Sequence, residues 1–453
     1  MSSFDNEKIK KLYNTMKNAN TNGDIKLGDW ASNEIVNCDA NNPYFVYQNI
    51  QRYMLKGYGK DYLPTYLHQL SRMEQLVFDN PTNHNFKVTL ARYYVMFGMF
   101  DQAAILIKQI PKTTQDYYIL QCKAWLHAYQ GNFSESKKIW DFLSHYLYLG
   151  SIADKSNTLK LEKKHQVILN PKSVLLFAFC RNEINKLPLF LKYYRDLGVS
   201  AFFIADNGSD DGSFEYLSEQ KDVQLFRTFE SFRQSEYGVS WLNEMIKQYG
   251  DDYWLIHVDI DEVLIYPNCE NIGVVEFTQQ LEVEKANIVR GMVIEMFPKK
   301  LADSYVNQQQ YLHHQQPYFY NDYAIFHSIN PPYIDPRGGI LSMLMNGKYM
   351  LYSKTPIIKG NQGIKYLISS HVVTPSIISK QSCAVLHFKF LDNFYDKFKT
   401  EIERNEHASN SSSYKSYLNA VNELPVDYDF TSLPQTTLFR NSQQLLDLKL
   451  MSC

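Results

Sequence analysis

At 453 residues the chain exceeds what one hydrophobic core usually supports, so two domains are expected. Its 46 basic and 48 acidic side chains leave a formal charge of -2, which excludes the broad basic footprint of a nucleic-acid-binding protein. Six cysteines (Cys38, Cys122, Cys180, Cys269, Cys383, Cys453) with no Cys-x-x-Cys spacing exclude a zinc site or disulfide framework and point to reduced thiols.

The start, Met1-Ser-Ser-Phe-Asp-Asn-Glu, carries no basic and apolar leader, and no apolar run reaches transmembrane length, so a cytoplasmic protein is expected. Residues 1–165 show helical periodicity and no strand-like alternation, which predicts an all-α domain. Within it Tyr94-Val-Met-Phe-Gly98-Met-Phe100-Asp-Gln-Ala103 and His127-Ala-Tyr-Gln-Gly131-Asn-Phe133-Ser-Glu-Ser136 repeat at an offset of 33. The period resembles that of tetratricopeptide repeats, in which the Gly permits the turn between paired helices. Such a domain offers a surface for a protein partner rather than chemistry. Ser151 to Lys172, polar and lysine-bearing, reads as a linker.

An α/β domain is expected over 166–405. Val174 to Phe179 reads as a buried strand, followed by Cys180-Arg181-Asn182-Glu183 and an amphipathic helix from Leu187 to Leu197. Val199 to Ala205 is a second apolar run, closing in Asp206-Asn207-Gly208-Ser209-Asp210-Asp211-Gly212-Ser213. A third, Trp254-Leu-Ile-His-Val, ends in Asp259-Ile-Asp261-Glu262. Strand alternation would send Asp259 and Asp261 to one side, where two carboxylates suit Mn2+ or Mg2+ and a bound diphosphate. Open α/β sheets take ligands outside the carboxyl ends of their strands, where all three polar turns would gather. Taken singly, the Asp206 run also suits a helix-capping turn, and Arg181 to Glu183 an ordinary cap. A calcium loop fails, because position twelve would be Ser218 and not Glu.

In this order, Phe179-Cys-Arg-Asn-Glu, then Leu197-Gly-Val with the Asp206 run, then His257-Val-Asp-Ile-Asp-Glu262, the chain resembles the GT-A glycosyltransferases. More narrowly it is similar to the glycosyltransferase family 2-like group that includes family 92, over roughly residues 171–405. The resemblance implies a Rossmann-like, mixed, mostly parallel sheet flanked by helices. It implies that Arg181, Asn182, Glu183, Asp206 and Asn207 hold the nucleoside of a nucleotide sugar, with Asp259 and Asp261 on the metal ion and on ribose or diphosphate. Downstream, Ser353-Lys354-Thr355-Pro356, His371 and Leu386-His387-Phe388 also recur in that family. His387 would complete the metal ligands, with His371 as the competing candidate, and Lys354 and Arg337 would offer fixed positive charge to diphosphate oxygens. Each of these residues could equally be a core histidine or a surface cation.

An inverting enzyme needs a carboxylate to take the acceptor's proton. Asp335 in Tyr333-Ile-Asp-Pro-Arg-Gly-Gly339 is the choice, with Asp303, Asp322 and Glu295 left open and a retaining mechanism needing none. Tyr311 to Tyr323 mixes Tyr, His and Gln in a way that suits a sugar platform. Asn405 to Ser416 reads as a loop, and Tyr417 to Leu424 with Gln443 to Leu450 as short helices of a C-terminal extension over 406–453. The resemblance therefore implies a metal-dependent glycosyltransferase acting on a glycan or glycolipid acceptor in bacterial surface-glycan synthesis (lipooligosaccharide or capsule), with peripheral contact at the inner face of the membrane. A scaffold that has lost catalysis, or another nucleotidyltransferase, are the rival readings; no phosphate loop supports phosphoryl transfer.

Overall fold

The computed structural model describes residues 3–453 apart from 23–24, 55–62, 112–115, 148–158, 330–331, 345–352, 361–362, 369, 392–393, 407 and 426. The chain divides into two compact units, Met1–Leu126 with Ala324–Ile334, and His127–Tyr323 with Asp335–Cys453.

The N-terminal region is helical: α1 Ser3–Asn22, α2 Ile25–Cys38, α3 Pro43–Met54, α4 Leu63–Asp79, α5 His84–Met96, α6 Phe100–Lys108, α7 Tyr117–Tyr129 and α8 Phe133–Leu147. In α4, Tyr66, Leu70, Met73 and Val77 recur at three and four residues and are buried, the apolar stripe that makes a marginal helix stable. The 33-residue offset has a structural basis. In the α5–α6 turn Met99 N-H donates to the Tyr94 carbonyl at 2.8 Å, and in the α7–α8 turn Asn132 N-H donates to the His127 carbonyl at 2.8 Å. Each turn passes through a left-handed glycine, Gly98 at φ +72° and Gly131 at φ +77°, where a Cβ would be strained.

The second unit holds a mixed α/β sheet. Its strands are β1 Lys160–Lys163, β2 Val174–Cys180, β3 Ala201–Asp206, β4 Val223–Arg227, β5 Trp254–His257, β6 Glu262–Ile265, β7 Ile288–Phe297 and β8 Tyr318–Tyr320. After the β9–β10 ribbon, Tyr323–Ile329 with Pro332–Gly338, come β11 Ser353–Lys359, the pair β12 Tyr366–Ile368 and β13 Val372–Val373, β14 Cys383–Phe388 and β15 Thr436–Leu438. The path runs β1-β4-β3-β2-β5-β11-β7-β14-β6. Strands β4, β3, β2 and β5 are parallel, so their carboxyl ends meet at one edge. Beyond β5 the direction reverses: β11 is antiparallel to both β5 and β7, and β14 is parallel to β7.

Both faces of the parallel strands are covered. Val174, Leu176 and Ala178 of β2 pack with Leu187, Phe190 and Tyr194 of α9 (Leu187–Leu197), and with Phe277 and Leu281 of the helix Val274–Glu284. The alternate residues Leu175 and Phe177 meet Val239, Leu242 and Ile246 of the helix Val239–Tyr249. Burial of each such side chain contributes about 1.5–3 kcal/mol, enough to hold the two faces in register.

Two sequence readings are corrected. Lys160–Lys163, read as linker, is the edge strand β1, paired antiparallel with β4. The Ser- and Asn-rich segment read as a loop is largely a helix, Ala408–Asn422. Tyr414, Tyr417, Leu418 and Val421 supply its apolar stripe and pack on Phe394 and Phe398 of the preceding helix, Phe394–Arg404, so tertiary burial overrides weak local propensity. The closing helix is Ser442–Asp447, capped by Asn441, whose side chain accepts from Gln444 N-H. All six cysteines are free.

Candidate active site

The turns after β2 and β3 are laced together. Arg181 donates to the Asn207 carbonyl at 2.9 Å, Asn182 N-H to Ser209 Oγ at 3.0 Å, Asp210 N-H to Asn182 Oδ1 at 2.9 Å, and Glu183 N-H to Ser213 Oγ at 2.9 Å. Asp206 is fully buried and accepts from the N-H groups of Gly208 and Ser209, both at 3.1 Å, while Asn207 Nδ2 donates to the Glu230 carbonyl at 2.9 Å. The side chains of Asp206 and Asn207 thus shape the turn, and Arg181 is left on its exposed surface.

Asp259 and Asp261 do not continue a strand; with Ile260 they form the turn between β5 and β6. Glu262, 1% exposed, braces that turn by accepting from Asp259 N-H at 2.9 Å. Lys354, from β11, donates to Asp259 Oδ2 at 2.8 Å and also to Glu262. The Asp259 side chain is 51% open to solvent. Burial works to raise its pKa, but the Lys354 charge outweighs this and holds it below the ordinary value. Burial pushes Glu262 up to about 7 against the pull of the same lysine.

Asp261 is different. Its side chain is only 9% exposed, and the nearest nitrogens are His387 Nε2 at 3.7 Å from Oδ1, Lys389 Nζ at 3.6 Å from Oδ2 and Lys397 Nζ at 4.0 Å from Oδ2. All lie beyond hydrogen-bond length, so among the described residues this buried carboxylate sits between two ammonium groups and an imidazole without a direct donor. Burial would raise its pKa, yet the charges of Lys389 above all, then Lys397 and Lys186, keep it well below the ordinary value. Among the described residues His387 Nε2 is itself buried and has no hydrogen-bond partner. Burial, aided by Lys389, lowers the His387 pKa to about 3, so the ring is neutral and its lone pair is available to a cation. Lys397 also bonds Glu183 at 2.8 Å, which ties the β2 turn to the acid turn.

Asp261 and His387 carry donor types that suit a divalent ion. A buried, ionised carboxylate facing an unpartnered neutral imidazole, with Asp259 beside them at the solvent boundary, is an oxygen and nitrogen donor set that Mn2+ accepts. Among the described residues no group of three His, Cys, Asp or Glu is placed to hold a metal ion, so Asp259, Asp261 and His387 do not form a ready-made metal centre.

The other predicted residues lie elsewhere. His371 Nδ1 faces the Ser353 carbonyl at 2.5 Å, and its own carbonyl accepts from Arg290, which places it in the bracing of β11. Asp335 lies on β10 with its side chain outside the described residues, and Arg337 on the same strand is half-buried. Of the open carboxylates, Asp303 and Asp322 are exposed. Glu295 is buried on β7, directly across from His387 in the sheet, and accepts from Leu341 N-H at 3.1 Å. Sequence reasoning missed Lys389 and Lys397. Lys389 had a signal, since alternation from His387 puts it on the same side of the chain; Lys397 had none, lying in an ordinary amphipathic helix. A hollow of about 520 Å³ lined by Gln166, Arg195, Lys221 and Asp222 lies at the amino ends of the strands, where Arg195 is already paired with Asp222 at 2.7 Å.

The same unit carries a pH liability. Burial lowers His313 to about 3 and His371 to about 4. The unfolded chain binds these protons near pH 6.5, so stability from both histidines is complete above that pH and is lost as pH falls toward 4. Urea unfolding at pH 7.5 and pH 5 should differ by about 2 kcal/mol for each histidine, and His313→Gln should remove its share of that difference. An unchanged slope in that variant would reject the account.

No protein-family model matches the chain, and no curated protein matches it. Among solved structures, a mutant of the Thermobaculum terrenum O-GlcNAc transferase is similar, with 12% sequence identity over 55% of this chain and a TM-score of 0.27. The chain spans 45% of that one, and a likeness so slight carries neither fold nor activity across.

Proposed function

We propose that the chain is a glycosyltransferase that moves a sugar from a nucleotide-sugar donor to a carbohydrate acceptor. The observation that supports it is Asp261, ionised and without a direct donor among the described residues, facing the neutral His387, likewise unpartnered among them, at the carboxyl ends of the parallel strands of a mixed sheet, with lysines gathered around them. Asp259, Asp261 and His387 would hold Mn2+ or Mg2+. When bound, the cation neutralises charge on a departing nucleoside diphosphate.

The chain's own residues supply the rest. The laced turns after β2 and β3 present Arg181 and the backbone around Asn207 to the nucleoside. Lys354 holds Asp259 in place and adds fixed positive charge beside the diphosphate. Asp335 takes the proton from the acceptor hydroxyl; Glu295 is the alternative that its position beside His387 favours. The Tyr311 to Tyr323 segment would meet the acceptor, a glycan or glycolipid of a bacterial surface polymer at the inner face of the membrane. No helix among the described residues is long and apolar enough to cross a membrane, so contact there would be peripheral. The helical N-terminal region, in this reading a tetratricopeptide-like array, would dock a protein partner.

The test is to incubate the protein with Mn2+ and a panel of sugar nucleotides and to follow released nucleoside diphosphate. Metal-stimulated release with one donor is expected. No release from any donor, alongside tight capture of a protein by the helical region, would replace the enzyme with a scaffold.

A further inference from the structure

The loop Thr228–Gly238 leaves the carboxyl end of β4 and leads into the helix Val239–Tyr249. Its aromatic Phe229 is 79% exposed, yet the ring has a built seat. It rests on Gly208, where a Cβ would come within 3.0 Å of it, and the Arg227 guanidinium lies 5.1 Å from its centroid and 4.0 Å from that of Phe214. The guanidinium thus lies against two rings, and Phe229 is the one left open to water. The start of the loop is bound to the turn after β3: Thr228 N-H donates to the Asp206 carbonyl at 3.0 Å, and Asn207 Nδ2 donates to the Glu230 carbonyl at 2.9 Å. Its end passes through three consecutive left-handed residues, Glu236 at φ +58°, Tyr237 at +60° and Gly238 at +86°, of which the first two carry side chains that disfavour that conformation. Between these ends a distant residue holds it. Glu406, in the connection between the helices Phe394–Arg404 and Ala408–Asn422, accepts from Ser231 Oγ and from Arg233 N-H, the latter at 3.0 Å.

A loop with left-handed side-chain-bearing residues keeps its shape only while its surroundings over-determine it. The Glu406 carboxylate is such a constraint, and it arrives from a segment 175 residues from Ser231 in the chain. What the constraint fixes is the place of Phe229, beside the Asn207–Gly208 turn at the carboxyl ends of the parallel strands. A ring braced on one side and open on the other suits stacking by a planar ligand group, which needs one free face and no closed cavity. We propose that Glu406 is a latch: it holds the loop where Phe229 stands beside the Asn207–Gly208 turn, and the nucleobase of the donor stacks on the open side of that ring. This rests on the nucleotide-donor reading and goes beyond it, because it names an aromatic surface for the base and gives the C-terminal extension a part in donor binding. Phe229 touches the ligand, and Glu406 acts through it as a positioning residue.

The experiment combines amide hydrogen exchange of the unliganded full chain with calorimetric binding of uridine, guanosine and cytidine diphosphates, Mn2+ being present throughout the binding arm. Glu406→Ala should speed exchange across residues 231–238 about tenfold while the helix Val274–Glu284 exchanges as in the wild type. Glu406→Gln, which keeps an acceptor, should leave the loop protected. Phe229→Ala should weaken the diphosphate that binds the wild-type protein about tenfold. Phe229→Trp should keep the affinity and show a fluorescence quench on binding larger than that of the wild type. Glu406→Ala should weaken the same diphosphate about fivefold, and the double variant should lose no more than Phe229→Ala alone, because the latch acts through that ring. A merely structural lesion would add to the loss of the ring. Phe229 is exposed and Glu406 lies at the surface, so both truncations spare the core, which circular dichroism checks. Loop exchange unchanged by Glu406→Ala, or additive losses in the double variant, overturns the latch. Undiminished binding to Phe229→Ala overturns the stack and leaves the transferase reading standing. If none of the three diphosphates binds the wild-type protein, both fall.

Discussion

Asp261→Asn is expected to lower metal-stimulated release of nucleoside diphosphate by about a thousandfold, the scale seen when one charge-stabilising group is removed from a water-poor site. The substitution keeps the side chain's shape and removes its charge. Asp261 is the one acid of the turn that is buried and, among the described residues, has no direct donor, so its charge is available to a ligand in a way that the charge of Asp259, bonded to Lys354, is not. Asp259→Asn should therefore cost less, about tenfold to a hundredfold. Stability should also fall, by about 2 kcal/mol, because Lys389, Lys397 and Lys186 lose a shared counter-charge while Lys397 and Lys186 keep Glu183. Far-ultraviolet circular dichroism checks that the fold survives, and the donor panel measures the rate. Wild-type turnover in a folded Asp261→Asn protein would remove this carboxylate from the chemistry.

The second large effect is on stability. Lys354→Met should destabilise the protein by about 3 kcal/mol, since it strips the cation from a buried carboxylate. Asp259 can turn to water through its open side, but Glu262, 1% exposed and bonded to the Asp259 N-H, cannot. Glu262 would take up a proton instead, which sets the loss at the lower end of the range for a broken buried pair. The double variant Lys354→Met with Glu262→Gln should recover most of the loss, because a neutral amide replaces the orphaned charge. Urea unfolding midpoints with an unchanged denaturant slope are the measurement. A double variant less stable than Lys354→Met would show that Glu262 is not the group Lys354 protects.

How far these residues were legible from the chain alone depends on how far apart they lie in it. The apolar run ending at Cys180, the helix Leu187–Leu197 and the strand closing at Asp206 follow from local periodicity and punctuation. A strand buried on both faces needs an unbroken apolar run, and a helix covering it needs a stripe at three and four. Gly98 and Gly131 announced two equivalent turns for the same local reason. The Asp259 and Asp261 pair could be seen as a candidate, although the expectation of strand alternation was mistaken, because the chain turns between β5 and β6.

What periodicity could not supply is which distant segments share the pocket. Lys354 reaches Asp259 only because β11 inserts antiparallel between β5 and β7, and His387 reaches Asp261 only because β14 lies between β7 and β6. Lys397 arrives on a helix whose sequence reads as an ordinary solvated amphipath. Sequence by itself determined the helical first part, the α/β character of the second and the three polar turns, since each follows from the conformational preferences and burial pattern of neighbouring residues. Tertiary structure alone decided which acid is tied down and which is caged, because a carboxylate's charge state and partners are set by groups approaching through space, and strand pairing across a hundred residues leaves no mark in local spacing.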